Sequence, residues 1–439
     1  HRGGALRSTL NEHSVTMHAT WNEWEICPIA SSICTKESCN GAFEASAMTE
    51  TLSKGTRPFA LARPCEEGVF LARDPLGVRP LYYGEADGVL AFASEVKALL
   101  TVTDDVNEFP PGAWYTPQDG IQEFARLRVG SLHFGNVATI ASELRDILQD
   151  AVVRRIHSDE LGSWLSGGLD SSVIAALARP HVKTLHTFVS GVQGAPDIEF
   201  SCQMAEYLRT RHHVLTVRLD DLLSALPDVI YYLESFDALL VRSSVTNYLT
   251  AKIVSDHVGS VFSGECGDEL YAGYDYIKGL PTEKISEELD DIIKRLHNTA
   301  LQRVDRCAHA HGVVPLIPFA DMNVVRHALR IPSKYKIHWD GGKPIEKWIL
   351  RKAFEGLMPD NVLWRPKAKF WQGTGVEDLL SRYASSTVSD SDFARERILP
   401  NGWVLDSKEE LMYYRVFKEH FGTLNQLDWM GRTKRIPVV

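Results

Sequence analysis

The sequence predicts an α/β protein: a doubly wound parallel sheet with a helical C-terminal part, preceded by a smaller layered domain. Three observations carry this reading. Strand and helix signals alternate through LHTFVSGV, IEFSCQMAEYL, HHVLTVRL, DLLSALPDVIYYLESF, YLTAKIVSDHV and GSVFSGE, an alternation that builds a parallel sheet with helices on both faces. The glycine-rich stretch LSGGLDSS, Leu165 to Ser172, joins the short apolar run LGSWLS to the helical run SSVIAALA, a strand–loop–helix pattern. From Gly68 onward, VFLARDPLGVRPLYYG, VLAFASEVKALL and EFPPGAWYT are divided by Asp-Pro-Leu-Gly and Glu-Ala-Asp-Gly, the turn chemistry of an antiparallel meander.

The 439 residues suffice for two or three domains. With 44% hydrophobic and 24% charged residues the composition is that of an ordinary globular protein. A formal charge of −10 argues against a nucleic-acid partner, which would need a basic face. It does not exclude a phosphorylated small ligand, because local donors and a cation can outweigh global charge. No apolar run is long enough to span a membrane and no charged-then-apolar signal region opens the chain, so no membrane partner is expected and a cytoplasmic location is the default. Seven cysteines, an odd number in a long chain, do not read as a secreted disulfide framework.

Taken in order, the first sixty residues carry Cys27, Cys34 and Cys39, with Cys65 further on. Clustered thiolates suit Zn²⁺ or an iron–sulfur cluster. The spacings match no standard zinc pattern, and buried, unligated cysteines are the alternative. The meander follows, then a linker near 120–138, then the amphipathic helix ASELRDILQDAVVRRI. In the loop, Gly167 and Gly168 can take positive φ and carry no Cβ. The helix N-terminus behind them attracts anions, with Leu165 entering the loop and the hydroxyls of Ser166, Ser171 and Ser172 as added donors. Asp170 among such donors would repel a phosphate unless a cation such as Mg²⁺ lay between them. No GxxxxGK[ST] occurs in the chain, so this is not a Walker A loop. The plain alternative is a tight turn whose serines and aspartate cap the helix. After the next strand signals comes SGECGDELYAGY, Ser263 to Tyr274. Both stretches fall at carboxyl ends of strands, where open α/β sheets bind ligands. From KGLPTEKISEELDD onward the chain reads as mostly helical.

SGGLDSS resembles the pyrophosphate-binding loop of the N-type ATP pyrophosphatases. Together with SGECGDELYAGY it resembles the synthetase domain of glutamine-dependent asparagine synthetases, over roughly residues 67–439. The resemblance implies two domains: residues 1–127, a degenerate class II glutaminase-like domain of the N-terminal-nucleophile α/β/β/α type, and residues 139–439, an adenylating ATP-pyrophosphatase domain. It implies that Ser263 and Gly264 join the loop in holding ATP and pyrophosphate, with Asp170 and Asp268 as carboxylate partners of Mg²⁺. For Asp268 a helix cap ahead of ELYAGY is the alternative. Glu265 stands where the family performs acid/base work on the incoming amine, since ammonium must lose a proton before it attacks. Asp305 matches a second acidic residue of the family site. Lys367, in WRPKAKFWQGTG, matches a lysine that stabilises charge on the α-phosphate. His212 and His213 match a family pair and read as structural, because no carboxylate or thiol stands at ligand spacing from them.

Departures from the family pattern concentrate elsewhere. Arg242 sits where an arginine would pair with a substrate carboxylate, but Leu239 replaces a hydroxyl residue, Val314 and Leu316 replace a glutamate and an arginine, and Cys266 replaces a glycine. In class II glutaminases an N-terminal cysteine precedes an HRG motif. If His1 to Gly3 is that motif, the nucleophile is expected upstream of this sequence, and the family's Asn-Gly-Glu element is not found.

The resemblance implies an ATP-dependent ligase that adenylates a carboxylate, releases pyrophosphate and passes the acyl group to ammonia or another amine, without its own glutaminase activity. ATP and Mg²⁺ are the expected cofactors, small-molecule carboxylate and amine the partners, and a homodimer is left open. Two other readings stand beside it: an ordinary glutamine-dependent asparagine synthetase, and a pseudoenzyme whose N-terminal cysteines bind a metal or a partner.

Overall fold

A computed structural model describes residues 4–10, 13–19, 45–65, 68–127, 132, 135–367 and 373–434. The chain divides into two units, one of His1–Leu127 with Leu296–Asn298 and Thr423–Gly431, the other of Arg128–Arg295, Thr299–Gly422 and Arg432–Val439.

The first unit contains two sheets. One has the order β1-β2-β6-β5-β7, from Gly4–Leu10 (β1), His13–Ala19 (β2), Tyr82–Ala86 (β5), Val89–Ala93 (β6) and Asn107–Glu108 (β7). All its pairings are antiparallel except β2 with β6. The other, wholly antiparallel, has the order β3-β4-β8-β9, from Ala60–Cys65 (β3), Gly68–Arg73 (β4), Ala113–Thr116 (β8) and Gly120–Glu123 (β9). Period-two alternation in β4 explains the layering. Val69 and Leu71 pack with Leu81, Phe92 and Phe109 between the sheets. Phe70 and Ala72 pack on the opposite face against Met48 and Leu52 of the helix Ala45–Lys54. The short helix Val96–Leu99 lies against β2, β5 and β6, completing α/β/β/α layers. The Asp-Pro-Leu-Gly turn is set by Asp74, whose buried carboxylate accepts the N–H groups of Phe59, Leu76, Val78 and Arg79 at 3.1–3.3 Å, while Gly77 takes φ 63°.

The second unit is built on a parallel sheet of order β12-β11-β10-β13-β14: Glu160–Trp164 (β10), Thr184–Gly191 (β11), Arg211–Thr216 (β12), Ser260–Phe262 (β13) and Val314–Leu316 (β14). Crossover helices Leu169–Ala178, Pro196–Leu208, Leu219–Leu233 and Ala238–Ser255 join the strands. The last of these is enclosed around most of its circumference, with twelve buried residues, among them Arg242, Ser243, Ser244, Thr246, Asn247 and Thr250.

One expectation is corrected: the stretch 120–138 is not linker throughout, because Gly120–Glu123 pairs with β8. The C-terminal part is mostly helical, as expected, with Val314–Leu316 as a fifth parallel strand and His338–Asp340 and Lys343–Ile345 as a hairpin. Three-residue strands are too short to show a period.

Candidate active site

The loop after β10 is held both by β11 and by bonds within itself. The Leu165 N–H donates to the Phe188 carbonyl at 2.8 Å. The Ser166 and Ser171 hydroxyls lie 3.1 Å apart, and Ser171 Oγ donates to the Gly168 carbonyl at 3.2 Å. Gly167 takes φ 67°, and a Cβ there would stand 2.5 Å from Phe200, so this position accepts only glycine. Gly168 has φ −78°, backbone any residue adopts, so only the first of the two glycines uses the left-handed region. Ser172 is fully buried, its hydroxyl without a hydrogen-bond partner among the described residues. The loop is braced from outside by Arg365, which donates to the Ser166 carbonyl at 3.2 Å, pairs with Asp197 at 2.7 Å and lies 4.1 Å over the Phe200 ring.

The second motif packs directly on the first. A Cβ at Gly264 would lie 2.7 Å from the Ser171 nitrogen, and one at Gly267 2.5 Å from the Asp170 carboxyl carbon, so both glycines are required by close approach. The Ser263 N–H donates to the Leu316 carbonyl at 2.8 Å, which ties this loop to β14. Cys266 takes φ 75°, a conformation that favours the glycine expected there.

Asp170 and Asp268 are brought together by a lysine that sequence reasoning missed. Lys347, 1% exposed, pairs with Asp170 and, at 2.6 Å, with Asp268. Lys367 reaches the other oxygen of Asp268 at 2.6 Å. Burial pushes the Asp170 carboxyl above the usual carboxylate range, against the pull of Lys347. Burial acts on Asp268 in the same sense, but the ammonium groups of Lys347 and Lys367 outweigh it and hold that carboxyl well below the range. Lys367 is raised well above the ordinary lysine range: burial opposes its charge, and the carboxylates of Asp268 and Asp170 more than restore it. Asp170 Oδ1 is buried and has no hydrogen-bond partner among the described residues. An orphaned carboxylate oxygen beside a second carboxylate fits a hard divalent cation such as Mg²⁺.

Lys347 lies at φ 53°, immediately before the helix Trp348–Ala353. A lone lysine ahead of the mixed run WILRKAF carries no periodic signal; the adjacent charges of Glu346 and Lys347 entering that run are the hint in the sequence. Glu346 is buried, accepts the Lys367 backbone N–H at 3.1 Å, and pairs with Arg351 at 2.7 Å and Lys278 at 2.9 Å. It therefore positions the segment that delivers Lys367.

Glu265 is held by Arg303, whose Nη2 lies 2.7 Å from both carboxylate oxygens. Arg303, from the helix Ala300–His309, was not anticipated. Asp305, two residues along that helix, lies 3.4 Å from His309 Nδ1, while Arg303 pairs with Glu265. Arg242 is engaged by the buried Glu409, through Nε at 3.0 Å and through Nη2, and Glu409 also accepts the Tyr413 hydroxyl at 2.7 Å. Leu239 is half-buried in the first turn of the same helix as Arg242. Leu316 adjoins Ser263, whereas Val314 pairs with Ser260 and is exposed. Cys65 is a free thiol at the end of β3, and Cys27, Cys34 and Cys39 lie outside the described residues.

Among the described residues no helix is long and apolar enough to cross a membrane. The family described as asparagine synthase matches residues 143–292 and 280–434, and the glutamine amidotransferase domain matches residues 36–101. Glutamine-hydrolysing asparagine synthetase 2 of Arabidopsis thaliana is 34% identical over 389 residues, covering 84% of this chain and 67% of the relative. Asparagine synthetase B of Escherichia coli (strain K12), also glutamine-hydrolysing, is 34% identical over 390 residues, covering 84% and 70%. Among solved structures, a glutamine-dependent NAD+ synthetase from Acinetobacter baumannii is matched at 13% identity over 99% of this chain and 74% of that one, with a TM-score of 0.28, a likeness from which nothing follows for this fold. The two sequence relatives and the family match over most of the second unit agree with the geometry, and the chain belongs to the asparagine synthetase family of ATP-dependent carbon–nitrogen ligases.

Proposed function

We propose that the chain adenylates a small carboxylic acid at the expense of ATP, releases pyrophosphate, and transfers the acyl group to ammonia or another amine. The observation that carries this reading is the row Asp170–Lys347–Asp268–Lys367 beside the loop Leu165–Ser172. In the first step a substrate carboxylate oxygen bonds to the α-phosphorus and the bond to the pyrophosphate oxygen breaks. The leaving group gains negative charge, which the N-terminus of the helix Leu169–Ala178, the loop hydroxyls and the ammonium of Lys347 are placed to balance. Lys367 supplies positive charge for the α-phosphate. Mg²⁺, held by Asp170 and Asp268, would neutralise phosphate oxygens when bound. In the second step the amine attacks the acyl carbon and AMP leaves. Glu265 takes the amine's proton, with Arg303 keeping its carboxylate oriented.

Pyrophosphate release from Mg²⁺·ATP across a panel of carboxylic acids, with ammonium as the amine, tests this. Asp170→Asn should abolish release, and Lys367→Ala should slow it by on the order of 10²–10³, the cost of one preorganised charge contact. Parental rates in both variants would refute the assignment. The matched glutamine amidotransferase domain favours a second source of amine, glutamine. The first reading expects ammonium to support turnover where glutamine fails, and glutamate release sensitive to a thiol alkylator would establish the second.

A further inference from the structure

The histidines of the sheet do not act as one group. His212 and His213 are adjacent on β12 and therefore point to opposite faces. His212 bonds to Thr187 at 2.9 Å and Ser201 at 3.3 Å. On the other face His213 meets His186, from β11, and His257, two residues beyond the helix Ala238–Ser255. His186 Nδ1 and His213 Nε2 lie 3.1 Å apart, the His213 and His257 rings are 4.1 Å apart, and one nitrogen from each of the three residues falls within 4.8 Å of the others.

We propose that His186, His213 and His257 form a three-imidazole site for a divalent transition metal, of which Zn²⁺ is the best match. Three neutral imidazoles with no thiolate among them suit Zn²⁺ rather than Mg²⁺ or Ca²⁺. At Zn–N distances of about 2.0–2.1 Å, two ligand nitrogens on a tetrahedral ion stand about 3.3 Å apart, close to the His186–His213 spacing. The third ring closes on them by a shift on the order of 1 Å. Without an ion the His186–His213 contact needs one N–H. With an ion both nitrogens present lone pairs and each proton moves to the far ring nitrogen, so no proton need be lost.

Phe188 stacks against His213 with ring centroids 4.8 Å apart, while His257 is exposed and leaves an approach to the trio. His186 is the third residue of β11, toward its amino end, whereas the ATP loop follows the carboxyl end of β10. An ion here would pin the edge strand β12 and the end of a crossover helix to the sheet, separately from the chemistry.

Titrating metal-free full-length protein with Co²⁺ tests the site. Tetrahedral imidazole coordination should appear as visible d–d absorption saturating at one equivalent, displaced by Zn²⁺, with a rise in Tm on Zn²⁺ addition. His257→Ala, a change at an exposed position, should remove the d–d bands and the Tm rise while leaving the metal-free Tm unchanged, and His212→Ala should keep the bands. Retention of one equivalent in His257→Ala, absence of saturable binding by the parent, or a near-ultraviolet thiolate-to-cobalt band abolished by Cys34→Ser would each overturn the proposal.

Discussion

At the scale of single residues, the site shows how charge is tuned by what surrounds it. Glu269 follows Asp268 and is 2% exposed, with Tyr274 donating its hydroxyl to it. Burial, reinforced by the carboxylates of Glu265 and Asp268, pushes its carboxyl up to about 7 from 4.5. A raised carboxyl favours the folded state while protonated. Its contribution is therefore complete below about pH 4.5 and lost as pH rises through about 7. Glu269→Gln keeps an acceptor for Tyr274 and removes the titration. Melting temperatures across pH 4–8 should show the variant more stable than the parent at pH 8, with the difference vanishing near pH 4; parallel curves would refute this. Cys266 presents the converse case. Its left-handed φ costs about 1–2 kcal/mol, and its buried thiol recovers a similar amount. Cys266→Gly should thus leave Tm nearly unchanged and retain pyrophosphate release.

At the scale of elements, what was legible in the sequence followed from periodicity and what was not followed from folding back. The crossover helices Leu219–Leu233 and Pro196–Leu208 announce themselves because half-buried helices must repeat an apolar face. SGGLDSS and SGECGDE are legible because close backbone approach demands glycine and hydroxyls at set places. Lys347, Arg303 and Glu346 were not, because Lys347 and Arg303 meet Asp170, Asp268 and Glu265 across tens to hundreds of residues, Glu346 reaches Lys367 and Lys278 across tens, and a lone charged residue has no period. The His trio shows the same limit: His213 was visible beside His212, but His257 joins it only through the fold. The element that fits Asp268 to Lys347 is the short turn at Gly273, where a Cβ would stand 2.0 Å from Asp268 Oδ1 and 2.1 Å from Lys347 Cε. Gly273→Ala must separate the pair. A displacement of about 1 Å should cost on the order of 10² in pyrophosphate release, whereas Gly279→Ala, with open space around it, should match the parent. Equal rates in the two variants would show that the pair is not needed for adenylation.

For the whole molecule, the acid taken in the proposed reaction turns on the Arg242–Glu409 pair. We propose that Arg242 recognises a carboxylate of the substrate other than the one being activated, and that Leu239, in place of a hydroxyl, makes aspartate a poor fit. A pocket that hydrogen-bonds a polar group can reject an analogue by 10⁴–10⁵, while an apolar wall discriminates only about 10–200-fold per methylene. Glu409 already occupies two nitrogens of Arg242, so a substrate carboxylate must share the guanidinium with a buried anion. Arg242→Ala would strand Glu409 uncompensated, at about 3–5 kcal/mol, and its inactivity would not separate binding from folding. Two milder variants do. Leu239→Thr should raise kcat/KM for aspartate, because a hydroxyl is returned to the first turn of the helix. Glu409→Gln removes the competing charge while keeping an acceptor for Tyr413, and should lower KM for the preferred acid with little change in kcat, since uniform binding improves without any change at the reacting carbon. A raised KM in Glu409→Gln would mean that Glu409 only orients Arg242. Efficient conversion of aspartate to asparagine by the parent protein would place this chain with its named relatives in substrate as well as in family.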